Sequence, residues 1–230
     1  MEIKKYYDQR EKYSLEYFHW KSTNYKANQS ISRSFNWINF EGTTVLDFGC
    51  GVGYYTIPIS RKCTHIIGVD ISDHNIELAR QYAQALAVNN VTYIATDFLD
   101  YFSQEPFDIV YAITVLMHIK DINQALHKIN SLLKPGGLLL ISDFNKYFPP
   151  RILQNRKSLP IFYQTFTFSK LKKMLLDNGF DLLRESGRLY SIGGLRKPDW
   201  VVLNWMEKYG ELYPIKYLGE HIALLAKKQA

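Results

Sequence analysis

The chain has 230 residues, 47% of them hydrophobic and 22% charged, with a net charge of +6. That is enough apolar content for a folded core and too much for a disordered segment. No apolar run approaches the ~20 residues that cross a bilayer, the first residues lack the apolar stretch of a secretory signal, and two cysteines, Cys50 and Cys63, make no disulfide framework. One cytoplasmic domain over residues 1–230 is the expectation.

The charge is unevenly placed. Residues 1–40 carry 7 basic and 4 acidic side chains, residues 41–144 carry 6 and 11, and residues 145–230 carry 15 and 7. Basic flanks around an acidic centre attract nucleic acid, a membrane surface or an anionic small molecule, or simply solvate helix faces.

Residues 1–40 interleave charges with aromatics, Tyr6, Tyr7, Tyr17, Phe18, Trp20 and Trp37 among them, as amphipathic helices do. They read as a helical cap, with Ser30 or Ser32 capping a helix toward Trp37. From Thr43 a regular alternation begins. Thr44–Asp47 is a first strand, followed by a helix to about Arg61, and His65–Asp70 is a second strand. Ser72 or Asp73 caps a helix with Ile76, Ala79, Ala83 and Leu86 on one face. Val91–Ala95 and Phe107–Ala112 are the third and fourth strands. Asp121 caps the next helix, and Lys134-Pro135-Gly136-Gly137 turns the chain into a fifth strand, Leu138–Ser142. Near-continuous apolar strands alternating with amphipathic helices predict a parallel sheet covered on both faces and doubly wound.

Beyond Asp143 the rhythm loosens. Residues 145–166 read as an inserted loop. A helix over residues 167–179 stops at Asn178-Gly179, a strand follows over residues 180–190 with a bend at Gly187, and a second insertion runs over residues 192–219. Glu220–Lys227 is a final strand.

The chemistry is concentrated at Asp47-Phe48-Gly49-Cys50-Gly51-Val52-Gly53, where a strand ends, glycines alternate and a helix opens at Tyr54. Glycines admit a ligand close to the backbone, and a helix start offers unpaired N–H groups. In an open α/β sheet, ligands bind beyond the carboxyl ends of the strands. Asp47, Asp70 and Asp97 all stand at such ends. Asp70, 19 residues after Gly51, is placed to accept ribose hydroxyls, and Asp97-Phe98 offers an adenine an acceptor and a ring. Dinucleotide turns follow G-x-G-x-x-G. Here Tyr54 stands where the last glycine would be, and Asp47 suits a cationic amine better than a phosphate.

Four stretches together resemble the successive motifs of class I S-adenosylmethionine-dependent methyltransferases: Val45–Gly53, Gly68-Val69-Asp70-Ile71-Ser72, Phe107-Asp108-Ile109-Val110 and Leu133-Lys134-Pro135-Gly136-Gly137. The resemblance covers residues 43–143 and leans toward the small-molecule, ubiquinone/menaquinone-type branch. It implies a Rossmann-like seven-stranded sheet, mostly parallel, whose last strand is antiparallel. It implies S-adenosylmethionine as cofactor and no metal. Residue by residue, it assigns the cofactor Asp47, Gly49, Cys50, Gly51, Gly53, Tyr54, Asp70, Ile71, Asp97, Phe98, Ala112 and Ile113.

The fourth strand ends Ala112-Ile113-Thr114-Val115, without the Pro-Pro-aromatic sequence of base or glutamine N-methylation. No Pro-Cys pair serves cytosine C5, and no acidic residue after the fourth strand serves a magnesium-dependent catechol site. His118 stands just past that strand and is the candidate general base; the other histidines, His221 among them, carry no signal. Tyr17, Trp20, Tyr147, Phe148, Tyr163, Trp200, Trp205 and Tyr209 are candidate pocket walls. The leading function is O- or N-methylation of a small molecule. An RNA- or protein-directed methyltransferase using the basic flanks, and a non-catalytic cofactor-binding module, are the alternatives. Oligomeric state is open.

Overall fold

A computed structural model describes residues 2–9, 26–148, 161–188, 205–206 and 208–229. Its centre is one seven-stranded sheet. The strands are β1 (Thr44–Phe48), β2 (His65–Asp70), β3 (Val91–Ala95), β4 (Phe107–Ile113), β5 (Leu133–Phe144), β6 (Phe180–Arg188) and β7 (His221–Lys228). Their spatial order is β3-β2-β1-β4-β5-β7-β6. The pairs from β3 through β5 are parallel, and β7 runs antiparallel to both β5 and β6. This is the Rossmann-like arrangement that the motif order implies.

Alternation along the strands explains the two covered faces. Leu46, Val110 and Leu139 join one apolar cluster, while Val45, Ile109 and Leu140 join the other. Successive strand side chains point to opposite faces, so both faces are buried and the strands read as unbroken apolar runs.

The described helices are α1 (Glu2–Asp8), α2 (Lys26–Phe35), α3 (Thr56–Ser60), α4 (Asp73–Ala85), α5 (Ile122–Leu132) and α6 (Phe168–Asp177). Ser72 caps α4, its hydroxyl accepting from the Asn75 N–H, and Asp121 caps α5 through the Gln124 N–H. The side of α2 bearing Ile31 and Phe35 is buried, with the Phe35 ring edge-on to Tyr111 at 5.0 Å. Truncating a buried phenylalanine to alanine costs about 3–5 kcal/mol.

Several expectations need correction. Ser30 and Ser32 lie inside α2 and cap nothing at its start, because the helix begins at Lys26. The fifth strand starts at Leu133. Leu133 pairs with Phe107, the register jumps, and the ladder resumes at Leu138 with Ile109. Lys134–Gly137 is therefore an irregularity within the strand. Gly187 makes no bend; it sits in register opposite Ile222. The helix after the glycine turn begins at Thr56 and has 5 residues, too short to aim a substantial dipole at a ligand. The two inserted segments lie partly outside the described residues. No helix among the described residues is long and apolar enough to cross a membrane.

Candidate functional site

The strand order reverses between β1 and β4, the switch point where open α/β sheets bind ligands. The backbone is folded tightly there. The N–H groups of Gly49 and Cys50 both donate to the Val69 carbonyl, at 2.8 and 3.1 Å, locking the turn onto β2. Gly49 has φ +74°, and a Cβ there would come within 2.5 Å of Val115 Cγ2. The two loops leaving β1 and β4 thus interlock through the absence of one side chain. Gly51 is different: at φ +54°, a Cβ would meet nothing within 4 Å. Gly51 lines a cavity of about 680 Å³, and its missing Cβ leaves room on the ligand side.

Asp70 lines the same cavity. Its Oδ2 accepts from the Gly51 N–H at 2.9 Å, and Oδ1 accepts from Ser72 N–H at 2.9 Å and from the Asn75 amide at 3.4 Å. Burial raises its pKa above the ordinary carboxylate value. A carboxylate oxygen has two lone pairs, so Oδ2 can take one more donor beside Gly51. Asp97 lies exposed on the rim, its Oδ1 accepting from the Leu99 N–H at 2.9 Å. The buried Phe98 ring stacks on Phe48, with centroids 3.7 Å apart and planes 16° apart. Phe48 therefore takes one face of the ring expected to meet an adenine.

Across the cavity stands His118, at the end of a 3₁₀ turn, Leu116–His118. The Asp143 carboxylate accepts from Met117 N–H at 3.0 Å, and the Gln164 amide donates to the Ile119 carbonyl at 2.6 Å, so this loop is held at both ends. The His118 ring is buried and held by both nitrogens. Nδ1 lies 2.9 Å from the Phe162 carbonyl, and Nε2 lies 2.8 Å from the Tyr7 hydroxyl. A carbonyl only accepts, so Nδ1 carries the proton and Nε2 accepts from Tyr7. Tyr7 arrives on α1, which is docked over the start of α4. Asp8 Oδ1 accepts from the Ser72 hydroxyl at 2.6 Å and the His74 N–H at 3.3 Å. Lys4 donates to the Ile71 carbonyl at 3.1 Å and pairs with Asp73. One short helix thus joins the Asp70 side of the cavity to the His118 side.

A family model described as a methyltransferase domain matches residues 39–192. The chain belongs to this methyltransferase-domain family. The ubiquinone biosynthesis O-methyltransferase of Bradyrhizobium sp. (strain ORS 278) is 34% identical over 160 residues, covering 65% of this chain and 63% of that protein. The chain thus spans a little under two thirds of that relative's length. Among solved structures, magnesium protoporphyrin IX methyltransferase from Synechocystis PCC 6803 with bound SAH superposes with a TM-score of 0.69 at 19% identity, over 99% of this chain and 98% of that one. A SAM-dependent methyltransferase from Thermotoga maritima, a possible histamine N-methyltransferase, gives 0.70 at 20% identity, over 93% and 95%. These structures share the class I fold.

In this methyltransferase domain, Gly49, Cys50, Gly51, Tyr54, Asp70, Ile71, Asp97, Phe98, Ile113 and His118 all line the one cavity. Asp47, Gly53 and Ala112 do not. Asp47 pairs in register with Tyr111 on β4, so the two side chains share the face turned to α2 and α3. Its Oδ2 accepts from the Tyr111 hydroxyl at 2.8 Å and the Thr56 hydroxyl at 2.5 Å. Burial pushes its pKa up to about 7, with the Asp70 charge adding to it. The carboxylate expected to meet an amine instead braces the turn from behind. Burial also pushes the Cys50 thiol up, and the Cys63 thiol to about 11, which keeps both in the unreactive protonated form.

The expected aromatic walls fare less well. Tyr147 and Trp205 are exposed and lie off the cavity. Phe148, Tyr163 and Tyr209 are not part of its lining either, though Tyr163 stands 6.4 Å from the His118 ring. Tyr17, Trp20 and Trp200 lie outside the described residues. The lining includes residues that went unselected: Ile3 and Tyr7 on α1, Ile31 on α2, and Phe144, Glu220 and His221 where β5 ends and β7 begins. Ile3 and Tyr7 are four apart and Lys4 and Asp8 are four apart, a helical signature of one docked face. His221 reads as an ordinary strand residue, although the antiparallel last strand that the resemblance implies, here β7, already points to its position. That direction brings its first residue to the ligand-binding end of the sheet. Thr114, between Ile113 and Val115, is β-branched yet has φ +56°, a strained backbone of the kind found at functional sites.

Proposed function

We propose that this chain transfers a methyl group from S-adenosylmethionine to a hydroxyl group of a small molecule, with His118 as base and Tyr7 as the proton-carrying link to it. The carrying observation is the Tyr7 hydroxyl bonded to His118 Nε2 on the wall of the cavity that Gly51 and Asp70 also line. The open space at Gly51 and the remaining acceptor capacity of Asp70 Oδ2 fit an adenosyl ligand. When bound, the sulfonium supplies an electrophilic methyl carbon and its own leaving group. Asp70 would hold the ribose, the Gly49–Val52 backbone the amino-acid end, and Phe98 with Leu99 the adenine.

The protein's own task is then positioning, water exclusion and removal of one proton. Aligning the reactants alone is worth about 7–11 kcal/mol. Ile3, Ile31, Ile113 and Met117 give the cavity an apolar wall. An acceptor hydroxyl bonded to the Tyr7 oxygen passes its proton there as the Tyr7 proton moves to His118 Nε2. The Phe162 carbonyl, held by Nδ1–H, steadies the resulting imidazolium. The Bradyrhizobium relative's name, an O-methyltransferase, agrees with a hydroxyl acceptor. Calorimetry with S-adenosylmethionine and S-adenosylhomocysteine, then methyl transfer from labelled cofactor to a panel of phenols and amines, tests this. Binding with transfer to phenols is expected. No binding of either nucleoside overturns the reading, and binding with no transfer to any acceptor leaves the non-catalytic module in its place.

A further inference from the structure

The segment before β7 exposes an unusual set of side chains. Leu212, Tyr213 and Leu218 are 53%, 79% and 42% exposed, and Tyr147 and Trp205 flank them at 57% and 51%. These are large apolar groups that a folded chain ordinarily covers. They belong to one surface. Tyr213 and Tyr217 meet edge to face at 5.8 Å, and Trp205 lies 5.1 Å from Tyr209. The Asn145 amide donates to the carbonyls of Tyr217 and Gly219, tying the Tyr147 loop to this segment.

The surrounding charge is positive. Lys146 and Lys208 are exposed beside the patch, Lys146 next to Tyr147 in the chain and Lys208 with its Nζ 5.3 Å from the Tyr209 ring. Of the described carboxylates nearby, Glu185 pairs with Lys172 and Lys216, and the exposed Glu211 accepts from the Trp37 indole at 3.0 Å. This agrees with the basic excess of residues 145–230, none of whose described lysines and arginines lines the cavity.

We infer that this surface docks the protein onto a bilayer containing anionic lipids. Tyrosine and tryptophan have an apolar body and a polar tip and favour the headgroup boundary. Lysines beside them draw anionic headgroups. A second copy of the chain is the poorer occupant. Lysine is depleted from protein interfaces, and a twofold contact would set these lysines against their own copies. The patch also has a fitting position. Leu218 and Gly219 lead directly into Glu220 and His221, which with Phe144 line the cavity. A bilayer at this surface abuts that end of the cavity, where a lipid-soluble acceptor would reach it.

Sedimentation of the full chain with phosphatidylglycerol-containing and pure phosphatidylcholine vesicles, at low and high salt, tests the inference. Binding to the anionic vesicles that weakens with salt is expected. Leu212→Ser with Tyr213→Ser, and separately Lys146→Glu with Lys208→Glu, should each weaken it about tenfold or more. Melting temperature and cofactor binding should be unchanged, because the substituted groups are exposed and off the cavity. No binding to anionic vesicles, or binding by both variants as tight as the parent's, overturns it. So does a concentration-dependent dimer that Leu212→Ser with Tyr213→Ser dissociates, which would make the patch a self-association face. None of these readouts needs methyl transfer, so the docking surface and the proposed activity stand or fall separately.

Discussion

Tyr7 and His118 lie 111 positions apart in the chain and share one hydrogen bond, hydroxyl to Nε2, at 2.8 Å. General acid–base groups of this kind contribute about 10²–10⁴-fold to a rate. Tyr7→Phe and His118→Gln are each expected to lower kcat by about 10²-fold or more with little change in cofactor affinity. The double variant should be little worse than either single one, because the proposed proton path runs through both. Stopped-assay kinetics on the three variants checks this; additive losses would separate the two residues.

Gly49 and Gly51 are two residues apart and demand different outcomes. Gly49→Ala combines a positive φ with a Cβ 2.5 Å from the Val115 side chain. It should cost about 2–4 kcal/mol of stability, part of it recovered by adding Val115→Ala. Gly51→Ala meets open space, so it should cost only about 1–2 kcal/mol while weakening cofactor binding. Denaturant melts paired with calorimetry separate these effects.

Asp47 should make folding stability depend on pH. Its pKa is raised by burial from 3.8 to about 7, so the native state keeps a proton that the unfolded chain releases. Its stabilising effect is complete below about pH 4 and falls as pH rises toward 7, by up to about 1.4 kcal/mol per pH unit. Above that the difference is constant. In Asp47→Asn this contribution should vanish, so the stability difference between parent and variant changes across that window. Urea melts at a series of pH values measure it; a constant difference refutes it.

Asp8 ties α1 to the capping serine of α4. Its side chain is part-exposed and its pair with Lys4 is a surface pair, so Asp8→Ala should change global stability by no more than about 1 kcal/mol. The local effect should be larger. Amide exchange over residues 2–8 should quicken, and transfer should slow because Tyr7 no longer rests on His118. Exchange mass spectrometry with steady-state kinetics checks both.

What the sequence reveals and hides follows from distance along the chain. The sheet is legible because buried parallel strands are written as local apolar runs, each ending in a residue such as Asp70. Asp70 itself is legible because its partner, Gly51, belongs to the preceding motif. Tyr7 is not, since ten aromatics in residues 1–40 look alike until one of them meets His118. Asp47 misleads because the motif locates its backbone and says nothing of Tyr111, the neighbour across the ladder that takes its carboxylate. Pro135-Gly136-Gly137 resembles a turn because an irregularity inside a strand uses the same residues.

The placement of β7 between β5 and β6 has a kinetic consequence. Among the strands, β6 pairs only with β7, so it cannot join the sheet by itself. The antiparallel β6–β7 pair must form first and dock on β5, or β7 must arrive before β6 can follow. Until then β5 offers an unpaired edge of Leu139, Leu140 and Ile141 while the parallel half of the sheet is complete. Such edges recruit other chains. Slow docking of this pair is therefore the step at which crowded refolding should divert into aggregates, and dilution should favour the native sheet.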